Sequence, residues 1–120
     1  MKFSIITVCL NSEQTIEQTI QSVVRQEYDD YEYIIIDGGS TDGTQEILDK
    51  YKENIALMIS EPDDGIYDAM NKGVALASGE VIGIINSDDW YEPEVLEKVR
   101  QCFQESDGEV VYGRANIIRD

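Results

Sequence analysis

Histidine is absent from the 120-residue sequence, which also has only two cysteines, two prolines and one tryptophan. Without histidine the chain lacks the side chain that most often serves as a general base and as a ligand for transition metals. Any metal that the chain binds is therefore expected to be a hard cation on oxygen ligands, such as Mn²⁺ or Mg²⁺.

The two cysteines, Cys9 and Cys102, are too few for a disulfide framework, and they lie in a predicted strand and a predicted helix. Buried free thiols are expected at both positions, which suits a reducing compartment. No apolar run has the length of a membrane span, and the amino terminus enters a strand without a signal-peptide pattern. We therefore expect a cytoplasmic location, with the inner face of a membrane as the alternative.

Positive charge is also scarce, because 9 Lys+Arg stand against 25 Asp+Glu and give a formal net charge of -16. A surface this acidic repels nucleic acid and anionic lipid. An anionic substrate would need a cation or a local basic group in order to bind. The length is sufficient for one domain, which we place over residues 1–120.

Short apolar runs alternate with stretches of helical periodicity along the whole chain. Strands are predicted at Phe3–Cys9, Tyr33–Ile36, Ile55–Ile59, from Val81 onward, and at Val110–Tyr112. A helix is predicted between each pair of consecutive strands. This β-α-β-α-β-α-β-α-β order predicts an α/β fold with a mainly parallel sheet and helices on both faces, in three layers.

The central stretch is Val81–Tyr91, in which five apolar or small residues are followed by Asn86, Ser87, Asp88 and Asp89. Such a run is typical of a strand buried on both faces. The carboxyl end of that strand would bring two adjacent carboxylates to one place, where their repulsion favours a bound cation. The alternative is an acidic turn in solvent.

A second polar strand end is Asp37, which is followed by a glycine-rich bend that begins at Gly38. A carboxylate fixed there can accept protons from a base or a ribose, although a plain turn with a capped helix explains the residues equally well. The dinucleotide-binding and P-loop motifs are both absent. If the chain order reverses between the first and fourth strands, Thr7–Asn11, Asp37 and Asp88–Asp89 would face one pocket.

A third acidic stretch, Asp63–Asp64–Gly65, precedes the third helix. The helix dipole favours negative charge at that end, which explains these carboxylates without any function. Lys72, further along the same helix, would be a candidate to approach a phosphate.

Together these runs resemble family 2 glycosyltransferases with the GT-A fold. The resemblance covers nearly the whole chain and rests on Ser4–Asn11, Ile34–Thr44, Asn71–Gly73 and Gly79–Asp89. It implies a Rossmann-like sheet and the transfer of a sugar, with inversion, from a nucleotide-diphosphate sugar to a saccharide or lipid-linked acceptor. It also implies Mn²⁺ or Mg²⁺ as the cofactor, and UDP is the favoured nucleotide.

The resemblance assigns roles to individual positions. It places the nucleotide-sugar-binding residues at Val8, Leu10, Asn11, Asp37, Gly38 and Asp88. In this assignment Asp37 contacts the base or ribose and Asp88 lies near the sugar or ribose. Asp89, in the D-x-D-like acidic motif, binds the metal.

The sequence also departs from the family pattern. Many members have a second aspartate where this chain has Gly38, so the identity of the base stays open. The general base of the family comes from a later, acceptor-binding half, and we expect it beyond Asp120. We therefore expect a truncated domain that binds the donor, transfers sugar weakly or not at all, and can self-associate through an exposed edge.

Two other function classes remain as alternatives. One is a non-catalytic nucleotide-binding or interaction module. The other is a Mg-dependent phospho-acceptor signalling domain, which the sequence disfavours because the first strand ends in Thr-Val-Cys-Leu-Asn, without the acidic pair that such domains place there.

Overall fold

The computed structural model describes residues 2–105, 109–112 and 115–119, with side chains described up to residue 101. The strands are β1 (Phe3–Cys9), β2 (Tyr31–Asp37), β3 (Leu57–Ser60), β4 (Val81–Asn86), β5 (Glu109–Tyr112) and β6 (Ala115–Arg119). The helices are α1 (Ile16–Val24), α2 (Thr44–Lys50), α3 (Ile66–Leu76) and α4 (Val95–Glu105), with a 3₁₀ turn at Lys52–Asn54. Within these ranges no helix is long and apolar enough to span a membrane.

The six strands form one sheet in the order β3-β2-β1-β4-β6-β5. The first four strands are parallel to one another, whereas β6 runs antiparallel to both β4 and β5. The prediction of a mainly parallel sheet is confirmed, but the sequence reading missed β6. Apolar and polar residues do not alternate in this segment, because Ile117 and Ile118 are adjacent and are flanked by polar or small residues.

Helices cover both faces of the sheet, so the three-layer prediction is also confirmed. On one face, α1, α2 and α4 contribute buried residues to a core that includes Phe3, Ile5 and Ile35. On the other face, α3 packs through Ala69 against Ile6 and Ile34. Phe103 lies at helical spacing from Leu96 and Val99, which predicts that it is buried on α4, but its side chain lies outside the described residues.

Helix α3 lies unusually close to the sheet. A Cβ atom added at Gly73 would stand 2.5 Å from Cγ2 of Ile6, so only glycine allows this approach. The apolar residues at helical spacing along α3 do not all face the sheet, since Ile66 and Val74 are exposed while Ala69 and Gly73 are buried.

The topology creates a crevice at one edge of the sheet. Strand β1 lies between β2 and β4, so the chain order reverses next to β1, which is the condition under which the sequence analysis placed the strand ends at one pocket. The register pairs Cys9 with Asp37 and Val8 with Asn86. The carboxyl ends of β1, β2 and β4 therefore stop at the same level and send their loops into one region.

Candidate functional site

A cleft of about 640 Å³ opens at the carboxyl ends of β1 and β4. The loop after β1, the loop after β4 and the start of α3 supply most of its walls. Its lining consists of Val8, Cys9, Leu10, Asn11, Ser12, Glu13, Gln14, Thr15, Asp42, Asp63, Gly65, Ile66, Ala69, Asn86, Ser87 and Asp88. This size is within the range of small-molecule sites.

The three nucleotide-sugar-binding residues predicted at the end of β1, which are Val8, Leu10 and Asn11, all line the cleft, whereas Thr7, also expected to face it, is buried and does not. Val8 is buried, whereas Leu10 is 56% exposed. Asn11 adopts a left-handed backbone conformation with φ 48°, which asparagine tolerates better than most residues. Its backbone N–H donates to Oγ of Ser40 at 2.8 Å, and its Oδ1 accepts from the backbone N–H of Thr41 at 2.8 Å. Asn11 therefore fastens the loop after β1 to the loop after β2.

Two serines join the remaining loops across the cleft. The hydroxyl groups of Ser12 and Ser87 lie 2.8 Å apart and share a hydrogen bond. The backbone N–H of Ser12 also donates to Oγ1 of Thr44 at 2.8 Å. Because these bonds connect the loops after β1, β2 and β4, the walls of the cleft are organised without a ligand.

The acidic pair after β4 is divided between the cleft and the interior. Asp88 is exposed and lines the cleft. Asp89 is only 7% exposed and is not part of the lining. The hydroxyl of Thr19 donates to the carbonyls of Ser87 at 2.9 Å and of Asp89 at 2.5 Å, which anchors this turn to α1. The two carboxylates predicted to act together therefore have different surroundings.

Asn86, the last residue of β4, is a site residue that the sequence analysis did not assign. Its Oδ1 is buried and has no hydrogen-bond partner among the described residues, and the residue lines the cleft. A buried acceptor without a donor is costly unless a ligand supplies one. The sequence feature that could have identified Asn86 is its position as the first polar residue after the apolar run of β4.

Asp37 has no access to the cleft, although it ends the strand next to β1. It is fully buried and accepts hydrogen bonds from the hydroxyl groups of Ser40 at 2.5 Å and Ser60 at 2.8 Å. The side chain of Gln45 at 3.3 Å and the thiol of Cys9 at 3.6 Å donate to it as well. In this structure the carboxylate holds the loop after β2 against β3, and its predicted contact with a base or ribose stays a prediction that this burial disfavours.

The electrostatics of this network follow from burial and hydrogen bonding. Burial alone would raise the pKa of Asp37, but hydrogen bonds from Ser40 and Ser60 outweigh it, so the net pKa lies below the usual value. Burial, reinforced by the charge of Asp37, raises the pKa of the Cys9 thiol far above its ordinary value. Cys9 lines the cleft as a neutral thiol and is unsuited to be a nucleophile.

The charge of the cleft is negative. Four carboxylate side chains line it, and no lysine or arginine does so among the residues with described side chains; the four are Glu13, Asp42, Asp63 and Asp88. Lys72, a sequence candidate for a phosphate contact, instead pairs with Glu61 at 3.1 Å and Asp68 at 3.6 Å. An anionic ligand would therefore enter this cleft together with a cation.

The described residues do fit a divalent cation that is shared with a ligand. No group of three or more acidic or cysteine side chains among them is arranged to hold a metal by itself. Mg²⁺-type sites often use only one or two carboxylates, with substrate phosphates and waters completing the shell. Asp88, exposed in the cleft, and the buried Oδ1 of Asn86, which has no hydrogen-bond partner among the described residues, supply oxygen atoms of that kind.

The family model of glycosyl transferase family 2 matches residues 4–120. The chain belongs to this family. The membership confirms the resemblance drawn from the sequence and sets aside the phospho-acceptor signalling alternative. Family and fold agree, since the strand reversal next to β1 and the acidic turn after β4 coincide with the matched region.

Three similar proteins illustrate the match. A PGL/p-HBAD biosynthesis glycosyltransferase of Mycobacterium tuberculosis is 36% identical over 116 residues, which are 92% of this chain and 45% of that protein. The structure of Staphylococcus aureus TarS 1-349 with UDP-GlcNAc has a TM-score of 0.80 at 28% identity, over 95% of this chain and 36% of that one. The mannosyltransferase PcManGT from Pyrobaculum calidifontis, in complex with GDP-Man and Mn²⁺, has a TM-score of 0.85 at 18% identity, over 98% of this chain and 44% of that one.

The chain thus spans less than half the length of each of these three proteins. At 18% identity the likeness to the mannosyltransferase concerns the fold alone. The general base predicted beyond Asp120 and the acceptor-binding half are not tested by these matches.

Proposed function

We propose that this chain is the donor-binding part of a family 2 glycosyltransferase and that its cleft takes a nucleotide-diphosphate sugar, with UDP as the favoured nucleotide. The observation that carries the proposal is the acidic, pre-organised cleft at the strand reversal, with Asp88 exposed in it and Oδ1 of Asn86 left without a donor. Its apolar part, at Leu10 and Ile66, suits a base, and its polar part suits a charged group.

Asp88 is the better candidate to hold a divalent cation against the diphosphate. It lies in the cleft, whereas Asp89, which the sequence analysis assigned to the metal, is buried beneath the turn. When bound, Mn²⁺ or Mg²⁺ would neutralise the charge of the departing diphosphate. Asn86 would contribute an oxygen to the cation or to a donor group of the ligand, and Asp89 would keep the turn in place.

The complete enzyme would transfer the sugar by single displacement with inversion at the anomeric carbon. A saccharide or a lipid-linked molecule is the proposed acceptor, as the family resemblance drawn from the sequence implies. The buried thiol of Cys9 suits the reducing cytoplasm predicted from the sequence, at the inner face of a membrane if the acceptor is lipid-linked. Self-association stays a prediction; the edge strand β3 exposes Leu57 and Met58, which would favour it.

Calorimetric titration of the chain with UDP, with and without Mn²⁺, tests this function. We expect Mn²⁺-dependent binding that Asp88→Ala weakens on the order of 100-fold, because the carboxylate that offsets the cation's charge is lost. Asp64→Ala is the matched control, since Asp64 is an exposed aspartate that does not line the cleft.

The same titration separates the two adjacent aspartates. Asp89→Asn should lower the midpoint of unfolding, measured separately by denaturation. It should leave the Mn²⁺ dependence of UDP binding by the folded protein nearly unchanged. The opposite result, with Mn²⁺ dependence abolished by Asp89→Asn and retained by Asp88→Ala, would return the metal to Asp89. Failure of UDP, GDP and dTDP to bind would contradict the proposed donor site, and transfer assays on the full native protein would test the non-catalytic alternative.

A further inference from the structure

Gly38 and Asp63 share one corner of the cleft region. An ideal Cβ atom built on Gly38 would lie 2.9 Å from Oδ2 and 3.3 Å from Cγ of Asp63. The carboxylate of Asp63 therefore fills the space into which a side chain at position 38 would project. Asp63 also lines the cleft, although it comes from the loop before α3 and not from the loop after β2.

We propose that Asp63 reads the nucleobase of the donor by accepting a ring N–H on its pairing edge. This rests on the proposed donor site. A carboxylate is only an acceptor at neutral pH. It therefore fits uracil, thymine or guanine, which present a ring N–H at that edge, and it disfavours cytosine, whose ring nitrogen presents a lone pair there and which keeps only its exocyclic amino group as a donor.

The strand order places Asp63 where a base would lie. Gly38 directly follows β2 and Asp88 lies just beyond β4, and β1 stands between these two strands. Two inter-strand spacings separate β2 from β4, which is about 10 Å. A nucleoside that extends across β1 would bring its diphosphate to the Asp88 side and its base to the Asp63 side.

The residues around Asp63 also suit a bound nucleobase. Ile66, which is 48% exposed, and Ala69 follow it on α3 and line the same cleft. Leu10, exposed at the end of β1, lines the cleft with them. Apolar walls with a single directional polar group are typical of a pocket that holds a flat ring and fixes its orientation.

The carboxylate is held in one orientation. The backbone N–H of Gly65 donates to Oδ1 of Asp63 at 3.1 Å, as in an Asx turn. Gly65 has φ 113°, so this turn depends on glycine. Because Oδ1 is engaged by the turn, Oδ2, on the Gly38 side, is the oxygen available to a base.

This geometry makes Asp63→Asn a sharp test. The amide oxygen of asparagine can keep the bond from Gly65, which leaves the amide NH₂ in the place of Oδ2. We expect UDP affinity in the presence of Mn²⁺ to fall about 10-fold and CDP affinity to rise, because a donor now faces the base. Asp64→Asn, next in sequence, exposed and outside the cleft lining, should leave both affinities unchanged.

A second pair of variants moves the carboxylate from position 63 to position 38, so that the test does not depend on the loop before α3. Gly38→Asp alone should impair binding, since two carboxylates would compete for one space. Gly38→Asp combined with Asp63→Gly should recover the preference for UDP over CDP. A folded Asp63→Asn protein with an unchanged UDP-to-CDP ratio, or a folded double variant that binds without preference, would overturn the inference. Wild-type protein that binds no nucleoside diphosphate would instead overturn the donor site itself.

Discussion

Two polar strand ends at the same edge of the sheet have opposite surroundings. Asp37 at the end of β2 is fully buried, and the hydroxyl groups of Ser40 and Ser60 donate hydrogen bonds to its carboxylate. At the end of β4, Oδ1 of Asn86 is buried without a partner among the described residues, and Asp88 is open to the cleft. Both ends sit beside β1 in parallel register, so strand position does not explain the difference.

The comparison indicates how to separate structural from ligand-binding polar groups in this fold. A carboxylate with satisfied acceptors stabilises the loops around it and has little capacity left for a ligand. An acceptor that the fold leaves without a donor costs stability, and a ligand can recover that cost. On this reasoning the polar residue at the end of β2 stabilises the loops around it, and the polar residues at the end of β4 are the ones that we propose to contact the ligand.

The largest effect on stability is expected for Asp37→Ala. Its removal leaves the hydroxyl groups of Ser40 and Ser60 without their acceptor inside the protein. We expect a loss of about 3 kcal/mol in the free energy of unfolding, measured by urea denaturation. Asp49→Ala, an exposed aspartate on α2, is the control and should change it by less than about 0.5 kcal/mol. An Asp37→Ala protein of wild-type stability that no longer binds UDP would invert the comparison and support the ligand contact predicted from the sequence.

Asn86→Ala is expected to have a smaller effect, and on ligand affinity instead of on stability. Oδ1 of Asn86 has no hydrogen bond to lose, so the free energy of unfolding should change by less than about 1 kcal/mol. UDP affinity in the presence of Mn²⁺ should fall about 10-fold, because the oxygen that has no partner in the protein, and that we assign to the ligand, is removed. Asn54→Ala, in the 3₁₀ turn before β3 and exposed, provides the same chemical change away from the site. Strong destabilisation with unchanged affinity would show that Asn86 is structural.

The sequence was sufficient for the layer order, whereas it located the cleft only on the condition that the strand order reverses next to β1. Apolar runs alternating with helical periodicity determine a parallel α/β sheet, and right-handed crossovers limit how it can be assembled. The hairpin of β5 and β6 was the exception, since Ala115–Arg119 lacks the alternation that marks a strand. Helix α3 was predicted as an element, but the close approach permitted by Gly73 decides which of its faces is buried.

Site roles were harder to predict because they depend on burial and on contacts between loops. Val8, Leu10, Asn11 and Asp88 do line the cleft, since they follow strands that the topology brings together. Asp37 does not, because residues from the next loop and strand supply donors to its carboxylate. The helix dipole appeared to explain Asp63 fully, and only its packing against Gly38 led to the role that we propose for it. No local pattern encodes such contacts between distant segments.

The smallest and most specific effect concerns acid stability. The pKa of Asp37 is lowered in the folded protein because its hydrogen bonds outweigh burial, so its contribution is present above the unfolded pKa of about 3.9. That contribution should be lost as the pH falls through the lower, folded pKa. Glu32, whose pKa is also lowered in net because hydrogen bonds from Ser4 and Ser78 outweigh burial, adds a background of the same sign.

Comparison with Asp37→Asn removes that background, since both proteins keep Glu32. The difference in unfolding free energy between wild type and Asp37→Asn should be constant above about pH 5 and should shrink below about pH 4. Urea denaturation at a series of pH values measures it. A difference that stays constant or widens on acidification would mean that the carboxylate is not held ionised by its hydrogen bonds. Its scaffold role at the end of β2 would then need another physical basis.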